Sequence, residues 1–147
     1  MAYNSVRERD PLIDKETQRV LERRLTEVLG IVMIACAALF SLIIVTYSPT
    51  DPGPLSASDL PIKNLLGNTG AAIASPLILV IGWGSWSLVP ILLIWGLRFI
   101  LHIGSERAIG RLIFTPIAIA LSSVYAASIV PVKTWLHSFG MGGLFGD

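Results

Sequence analysis

The stretch VLGIVMIACAALFSLIIVTY, residues 28–47, decides the fold class of this chain. It is 20 residues long and carries no charge, and the nearest charged residues on either side are Glu27 and Asp51. At a rise of about 1.5 Å per residue, a helix of this length covers about 30 Å, the thickness of the hydrocarbon core of a bilayer. The stretch therefore predicts a membrane-spanning helix.

Two further apolar runs follow the first. Residues 71–97 lie in a segment without charge, and residues 112–132 lie between Arg111 and Lys133. The second run is longer than one span needs and contains prolines, so we expect a tilted and kinked helix there. We predict an all-α, polytopic transmembrane helical bundle with three spans here. A fourth span is expected downstream, since three spans leave the two ends on opposite sides of the membrane.

The composition agrees with a chain dissolved in lipid. Charged residues make up 14% of the 147 positions, compared with roughly 25% in soluble globular domains. Twelve of the 21 charged residues fall within the first 27 positions, so the rest of the chain cannot form a wettable surface. One cysteine and two distant histidines exclude a disulfide framework or a Cys/His metal cluster within the chain.

Basic residues predict the orientation. The segment before the first span has six, the first loop one, the second loop three and the tail one. Because basic residues concentrate on the cytoplasmic side, the N-terminus of this multi-pass membrane protein should be cytoplasmic. The predicted segments are a cytoplasmic basic leader and stem helix (1–27), transmembrane helix 1 (28–47), a periplasmic Pro/Gly-rich loop (48–70), transmembrane helix 2 (71–97), a cytoplasmic loop (98–111), transmembrane helix 3 (112–132) and a periplasmic Gly-rich tail (133–147).

The first 47 residues leave two questions open. The first span could be a cleaved signal peptide, but its apolar run is longer than the roughly 7–15 residues of a secretory signal, so we predict an uncleaved anchor. Cys36 then lies at lipid depth. The leader before it is either a docking helix that contacts a protein or anionic lipid, or a solvated stem that only fixes the topology.

Small residues form a stripe in the third span. Ala118, Ser122 and Ala126 are spaced four apart, which places them on one helix face and permits close approach of a second helix. This face could contact another subunit or pack within the chain's own bundle. Trp83 and Trp86 fall in the middle of the second span, where we expect them to pack against another helix.

The sequence contains no motif that could carry catalysis. Asp51 and Asp59 do not form a credible acid/base pair, and we interpret Asp51, which precedes a proline, as an ordinary turn residue. A phosphate-binding loop is absent from the 147 residues. The predicted spans carry no charged residue, which argues against a transporter. We therefore predict no catalytic, cofactor-binding or metal-binding residues in this chain.

Two motifs around the first loop resemble the membrane region of FtsK/SpoIIIE-type DNA translocases. The first follows span one directly, as Tyr47-Ser48-Pro49-Thr50-Asp51-Pro52. The second leads into span two with Asn64, Gly67 and Gly70 in an Asn-x-x-Gly-x-x-Gly-Ala pattern. A weaker likeness is the Gly142-Gly143-x-x-Gly146 tail, and the resemblance extends over roughly residues 20–147.

The resemblance implies a role in cell division. In that family, about four spans anchor a hexameric, ATP-driven DNA pump at the division septum. For this chain the resemblance therefore implies a location in the bacterial inner membrane and targeting to the septum. It also implies homo-oligomers and contacts with membrane lipid and other cell-division proteins. The motor is absent from these residues, so ATP, Mg²⁺ and DNA would be bound only by the motor of the parent protein. The alternative is a small, stand-alone inner-membrane scaffold subunit of another complex.

Overall fold

The computed structural model describes residues 14–54, 58–104, 113–129, 135 and 137–147. All secondary-structure elements assigned in these ranges are helices. The elements are α1 (Lys15–Val45), α2 (Gly67–Ile81), a 3₁₀ helix (Gly82–Ser87), α3 (Leu88–Ile100), α4 (Phe114–Ala127) and the short α5 (Gly143–Gly146).

Two apolar segments are long enough to cross a bilayer. They are Lys15–Val45, with a mean hydropathy of 3.0 in its most apolar window, and Gly67–Ile100, with 2.2. Only 22% of each window is buried within the chain, whereas the core helix of a soluble protein would be mostly buried. Large apolar side chains such as Ile31, Leu39 and Leu97 are exposed, which suits a surface that faces lipid.

The helix bounds differ from the predicted segments in two places. α1 begins at Lys15, so the predicted stem and the first span form one continuous helix of 31 residues. The second apolar segment is divided into α2, the 3₁₀ helix and α3, with the break at Gly82 and not at Pro76, which lies inside α2.

Gly82 interrupts the second segment for a reason of both conformation and space. Its φ is +60°, a region that residues with a Cβ rarely adopt. A Cβ at this position would also overlap the carbonyl oxygen of Met141, which accepts a hydrogen bond from the backbone N–H of Trp83 at 2.8 Å. The tail therefore fixes the break in the second segment.

The third apolar run is shorter than predicted within the described residues. α4 has 14 residues, which corresponds to about 21 Å and falls short of a full bilayer crossing. The residues on both sides of it, 105–112 and 130–134, lie outside the described ranges. The three-span prediction is therefore supported by two long apolar helical segments and one shorter helix.

α1 and the returning segment run antiparallel. The end of α1 lies beside the start of the second segment, where Asn64 contacts the carbonyl of Ile43. The middle of α1 lies beside the end of α3, where Glu27 and His102 approach to 3.6 Å. Glu27 also pairs with Arg24 at 2.9 Å, and this hydrogen bond is the main reason that the pKa of Glu27 is lowered.

A crossing of two glycines joins α1 and α3. A Cβ on Gly30 would lie 2.6 Å from the carbonyl oxygen of Gly96, and a Cβ on Gly96 would lie 2.7 Å from that of Gly30. The two backbones are thus in direct contact, as small residues allow in membrane helix pairs. Ala37, seven residues or about two turns further along α1, is fully buried on the same side of the helix.

The glycine-rich tail, predicted as a periplasmic segment, packs into the bundle. Met141 is 1% exposed, and the hydroxyl of Ser123 in α4 donates a hydrogen bond to the carbonyl of Gly142 at 2.5 Å. A Cβ on Gly142 would lie 2.6 Å from that of Ala127. Because glycine has no side chain, the tail fits between α2, the 3₁₀ helix and α4.

Candidate functional site

Asp51 is the centre of a polar junction between α1 and α2. The side chain is 4% exposed, and its two carboxylate oxygens accept hydrogen bonds from the backbone N–H groups of Lys63 at 2.9 Å and Asn64 at 3.0 Å. The prediction of an ordinary turn residue was therefore wrong. Asp51 ties the two ends of the first loop together, whereas Asp59 is exposed.

Asn64 connects this junction to the end of α1. It is also 4% exposed, and its Nδ2 donates to the carbonyl oxygen of Ile43 at 3.0 Å. The last carbonyls of a helix have no partner within the helix, so Asn64 caps α1 from 21 residues away along the chain. Its Oδ1 accepts the backbone N–H of Leu66 at 3.0 Å, which uses both ends of the amide.

The two glycines of the second motif have separate tasks. Gly67 adopts φ +62° and donates its N–H to the carbonyl of Asn64 at 2.9 Å, closing the turn that begins α2. Gly70 packs against the side chain of Asn64, and a Cβ on Gly70 would overlap the Oδ1 of Asn64. The spacing Asn-x-x-Gly-x-x-Gly is thus explained by one buried amide and the backbone around it.

The remaining residues of the first motif shape the end of α1. The backbone carbonyl oxygen of Ser48 accepts a hydrogen bond from the backbone N–H of Asp51 at 3.1 Å. The hydroxyl of Ser48 lies 2.9 Å from the hydroxyl of Thr50. Pro49 and Tyr47 line one cavity next to this turn, and Pro52 lines another. The first motif therefore turns the chain out of α1 and delivers Asp51 to its partners.

The chemistry available at this junction is structural. Both carboxylate oxygens of Asp51 and both polar atoms of the Asn64 amide are hydrogen-bonded to backbone groups, so these two buried side chains hold the loop and the end of α1 together. Within the described ranges, no three His, Cys, Asp or Glu residues come together in a way that could hold a metal ion.

The small-residue stripe of the third run is only partly covered. Ala118 is exposed, Ser122 is half-buried, and Ala126 is 5% exposed. The hydroxyl of Ser122 lies 3.3 Å from the carbonyl of Gly84 in the 3₁₀ helix, so this contact is within the chain. The neighbouring Ser123, which is fully buried, makes the closer contact with the tail.

Sequence reasoning missed the Gly30–Gly96 crossing. Each glycine stands alone in an apolar run, and no local motif connects two glycines that are 66 positions apart. The available signal was weak: a glycine in the middle of a predicted membrane helix costs helix propensity and indicates a close approach of another backbone.

These features together define a class of protein. The chain is a membrane protein in which exposed apolar helices surround a polar junction and a glycine crossing. Within the residues that the structure describes, its buried polar groups serve packing.

Comparison with known proteins gives the family. The family model for the 4TM region of DNA translocase FtsK/SpoIIIE matches residues 22–147, so the chain belongs to this family, as the two motifs had indicated. The DNA translocase FtsK of Bradyrhizobium diazoefficiens is 30% identical over 127 residues, which cover 86% of this chain and 15% of that protein. The FtsK proteins of Azospirillum brasilense and Brucella suis are each 25% identical, over 83% and 95% of this chain.

The chain spans only 15–20% of the length of these three relatives. It covers the membrane region of the family and not the motor. No solved structure matches the chain.

Proposed function

We propose that this chain is the membrane-anchoring, septum-targeting and oligomerising region of a DNA translocase that coordinates chromosome segregation with cell division. The observation that carries the proposal is the match of residues 22–147 to the 4TM region of DNA translocase FtsK/SpoIIIE. The relatives that align with 83–95% of the chain are each named DNA translocase FtsK.

The physical features of the chain suit an anchor. The exposed apolar helices supply affinity for lipid, and the buried polar atoms of the loop junction support the fold. ATP, Mg²⁺ and DNA are then handled by a motor region outside these residues. The oligomer would be built from copies of this chain, and other cell-division proteins would be its further partners.

The proposal includes an orientation in the inner membrane, with the N-terminus in the cytoplasm. Reporter fusions after Asp59 are expected to be active only in the periplasm, and fusions after position 105 only in the cytoplasm, because basic residues are retained on the cytoplasmic side. The two reporters should be a periplasmic phosphatase and a cytoplasmic galactosidase. The reverse pattern at either position would contradict this orientation.

Septum targeting is testable by imaging. A fluorescent protein fused to residues 1–147 is expected to accumulate at mid-cell in dividing bacteria. The matched control is the same fusion carrying Asp59→Ala, an exposed loop position whose change leaves the fold intact. Uniform membrane labelling by a fusion that stays protease-resistant would contradict the proposal and favour a scaffold subunit of another complex.

A further inference from the structure

An aromatic cavity lies where α1, the 3₁₀ helix and the tail meet. Its volume is about 400 Å³, within the range of small-ligand pockets. Five rings from these three separate segments line it: Tyr47 after α1, Trp83 and Trp86 in the 3₁₀ helix, and Trp135 and His137 in the tail. Its aliphatic side is formed by Ile44, Val45 and Ile78.

The wall contributed by the tail is held in place by its own contacts. The indole Nε1 of Trp135 donates to the carbonyl of Phe139 at 2.6 Å, which fixes the ring. His137 stacks on Phe139 with 4.7 Å between ring centroids, and on Tyr47 with 5.7 Å and an interplanar angle of 18°. These rings are therefore ordered before any ligand arrives, which reduces the entropic cost of binding.

The opposite wall is partly open. We expected Trp83 and Trp86 to pack against another helix; they are 47% and 38% exposed, and both line the cavity. Their rings are therefore accessible from the cavity, and a tryptophan offers a large apolar face to a ligand there.

The charge of the cavity favours a cation. Its described lining residues include no lysine, arginine, aspartate or glutamate. Burial lowers the pKa of His137, so this ring is neutral at pH 7 and adds no positive charge. The faces of aromatic rings are electronegative and attract an ammonium group within about 6 Å of a ring centroid.

The position of the cavity indicates what carries that cation. The cavity lies at the end of α1, where the predicted span reaches the periplasmic surface of the inner membrane. Its aliphatic side continues the apolar surface of the helices. A phospholipid whose headgroup carries an ammonium group presents that group and its acyl chains side by side at this depth.

We propose that this cavity binds one phospholipid of the outer leaflet whose headgroup carries an ammonium group. The ammonium lies against the rings of Tyr47, Trp83 and Trp86, and the first acyl carbons lie against Ile44, Val45 and Ile78. This inference rests on the proposed orientation in the membrane and not on the proposed role in DNA translocation.

Tryptophan fluorescence can test the site because three of the four tryptophans line it. The fourth, Trp95, lies against Arg98 in α3 and is removed by Trp95→Phe. The full chain with this change, in a polyoxyethylene detergent, is titrated with dihexanoyl-phosphatidylcholine and with dihexanoyl-phosphatidylglycerol.

We expect a saturable change in fluorescence, with the choline lipid binding at least about tenfold more tightly than the glycerol lipid. Equal affinity would indicate an acyl chain alone, and no saturable signal would indicate no site; either result would overturn the proposal.

Free choline separates a lipid site from a site for a soluble cation. Choline chloride should bind at least about tenfold more weakly than the lipid, because it lacks the chains that contact the aliphatic side. Choline that binds as tightly as the lipid would refute a phospholipid as the occupant.

Ring removal provides the second test. Trp83→Leu with Trp86→Leu leaves Trp135 as the reporter and should weaken choline-lipid binding about tenfold. The matched control is Tyr125→Leu, which removes an aromatic ring that is 71% exposed on α4 and should change nothing. If the double variant loses helical content, Trp83→Leu alone carries the test. Unchanged affinity in a folded variant that lacks these rings would overturn the proposal.

Discussion

Replacing Asp51 with alanine is expected to lower the free energy of unfolding of this membrane domain by about 3 kcal/mol. The carboxylate accepts two backbone hydrogen bonds at a site that is 4% exposed, so its removal leaves the N–H groups of Lys63 and Asn64 without a partner. The buried N–H of Asn64 left unsatisfied costs about 1–3 kcal/mol, and the part-buried N–H of Lys63 adds a smaller cost. The free energy is measured by following helix content while sodium dodecyl sulfate is titrated into mixed micelles.

Two variants make the result specific. Asp59→Ala removes the other carboxylate of the same loop at an exposed position and should change the free energy by less than about 0.5 kcal/mol. Asp51→Asn keeps one acceptor oxygen and should fall between the two alanine variants. Equal stability of Asp51→Ala and Asp59→Ala would mean that the junction does not stabilise the fold.

Replacing Gly96 with leucine is expected to separate α1 from α3 at a cost of about 2–3 kcal/mol. Even the first carbon of the new side chain would lie 2.7 Å from the carbonyl oxygen of Gly30, so the helices must move apart along their contact. Overpacking of this kind typically costs about 1–3 kcal/mol, and a rigid backbone neighbour cannot yield as a flexible side chain would. The same detergent titration measures the loss.

The control for the glycine crossing introduces leucine at an exposed position of α1. Ala38 is exposed, so Ala38→Leu adds the same side chain to a surface that faces lipid and should leave the free energy of unfolding nearly unchanged. Gly30→Leu should behave like Gly96→Leu, because the contact is reciprocal. A stable Gly96→Leu variant would show that the two helices do not depend on this crossing.

The apolar helices were predictable because hydropathy is a local property. Residues 28–47 carry no charge, and this alone required a helix long enough to cross lipid. The break at Gly82 was not predictable in this way, since it depends on the carbonyl of Met141, 59 positions away. Pro76 offered a stronger local signal for a kink, but tertiary contact decided the position of the interruption.

The loop junction was predictable as a motif and not as a structure. The resemblance selected Asp51, Asn64, Gly67 and Gly70, and all four contribute to the junction. Local turn chemistry nevertheless assigned Asp51 to an ordinary turn, because its hydrogen-bond partners lie 12 and 13 positions further along the chain. In the third run, helical periodicity grouped Ala118 with Ser122 and Ala126, but it could not show that Ala118 is exposed.

The continuity of α1 has a mechanical consequence. The helix runs without interruption from Lys15 to Val45, so the 12 residues before position 27 form a lever about 18 Å long outside the predicted span. A change of about 10° in the tilt of the span would swing the start of this lever sideways by about 3 Å. Anything attached before Lys15 would therefore register the tilt of the helix in the bilayer as a displacement outside the membrane.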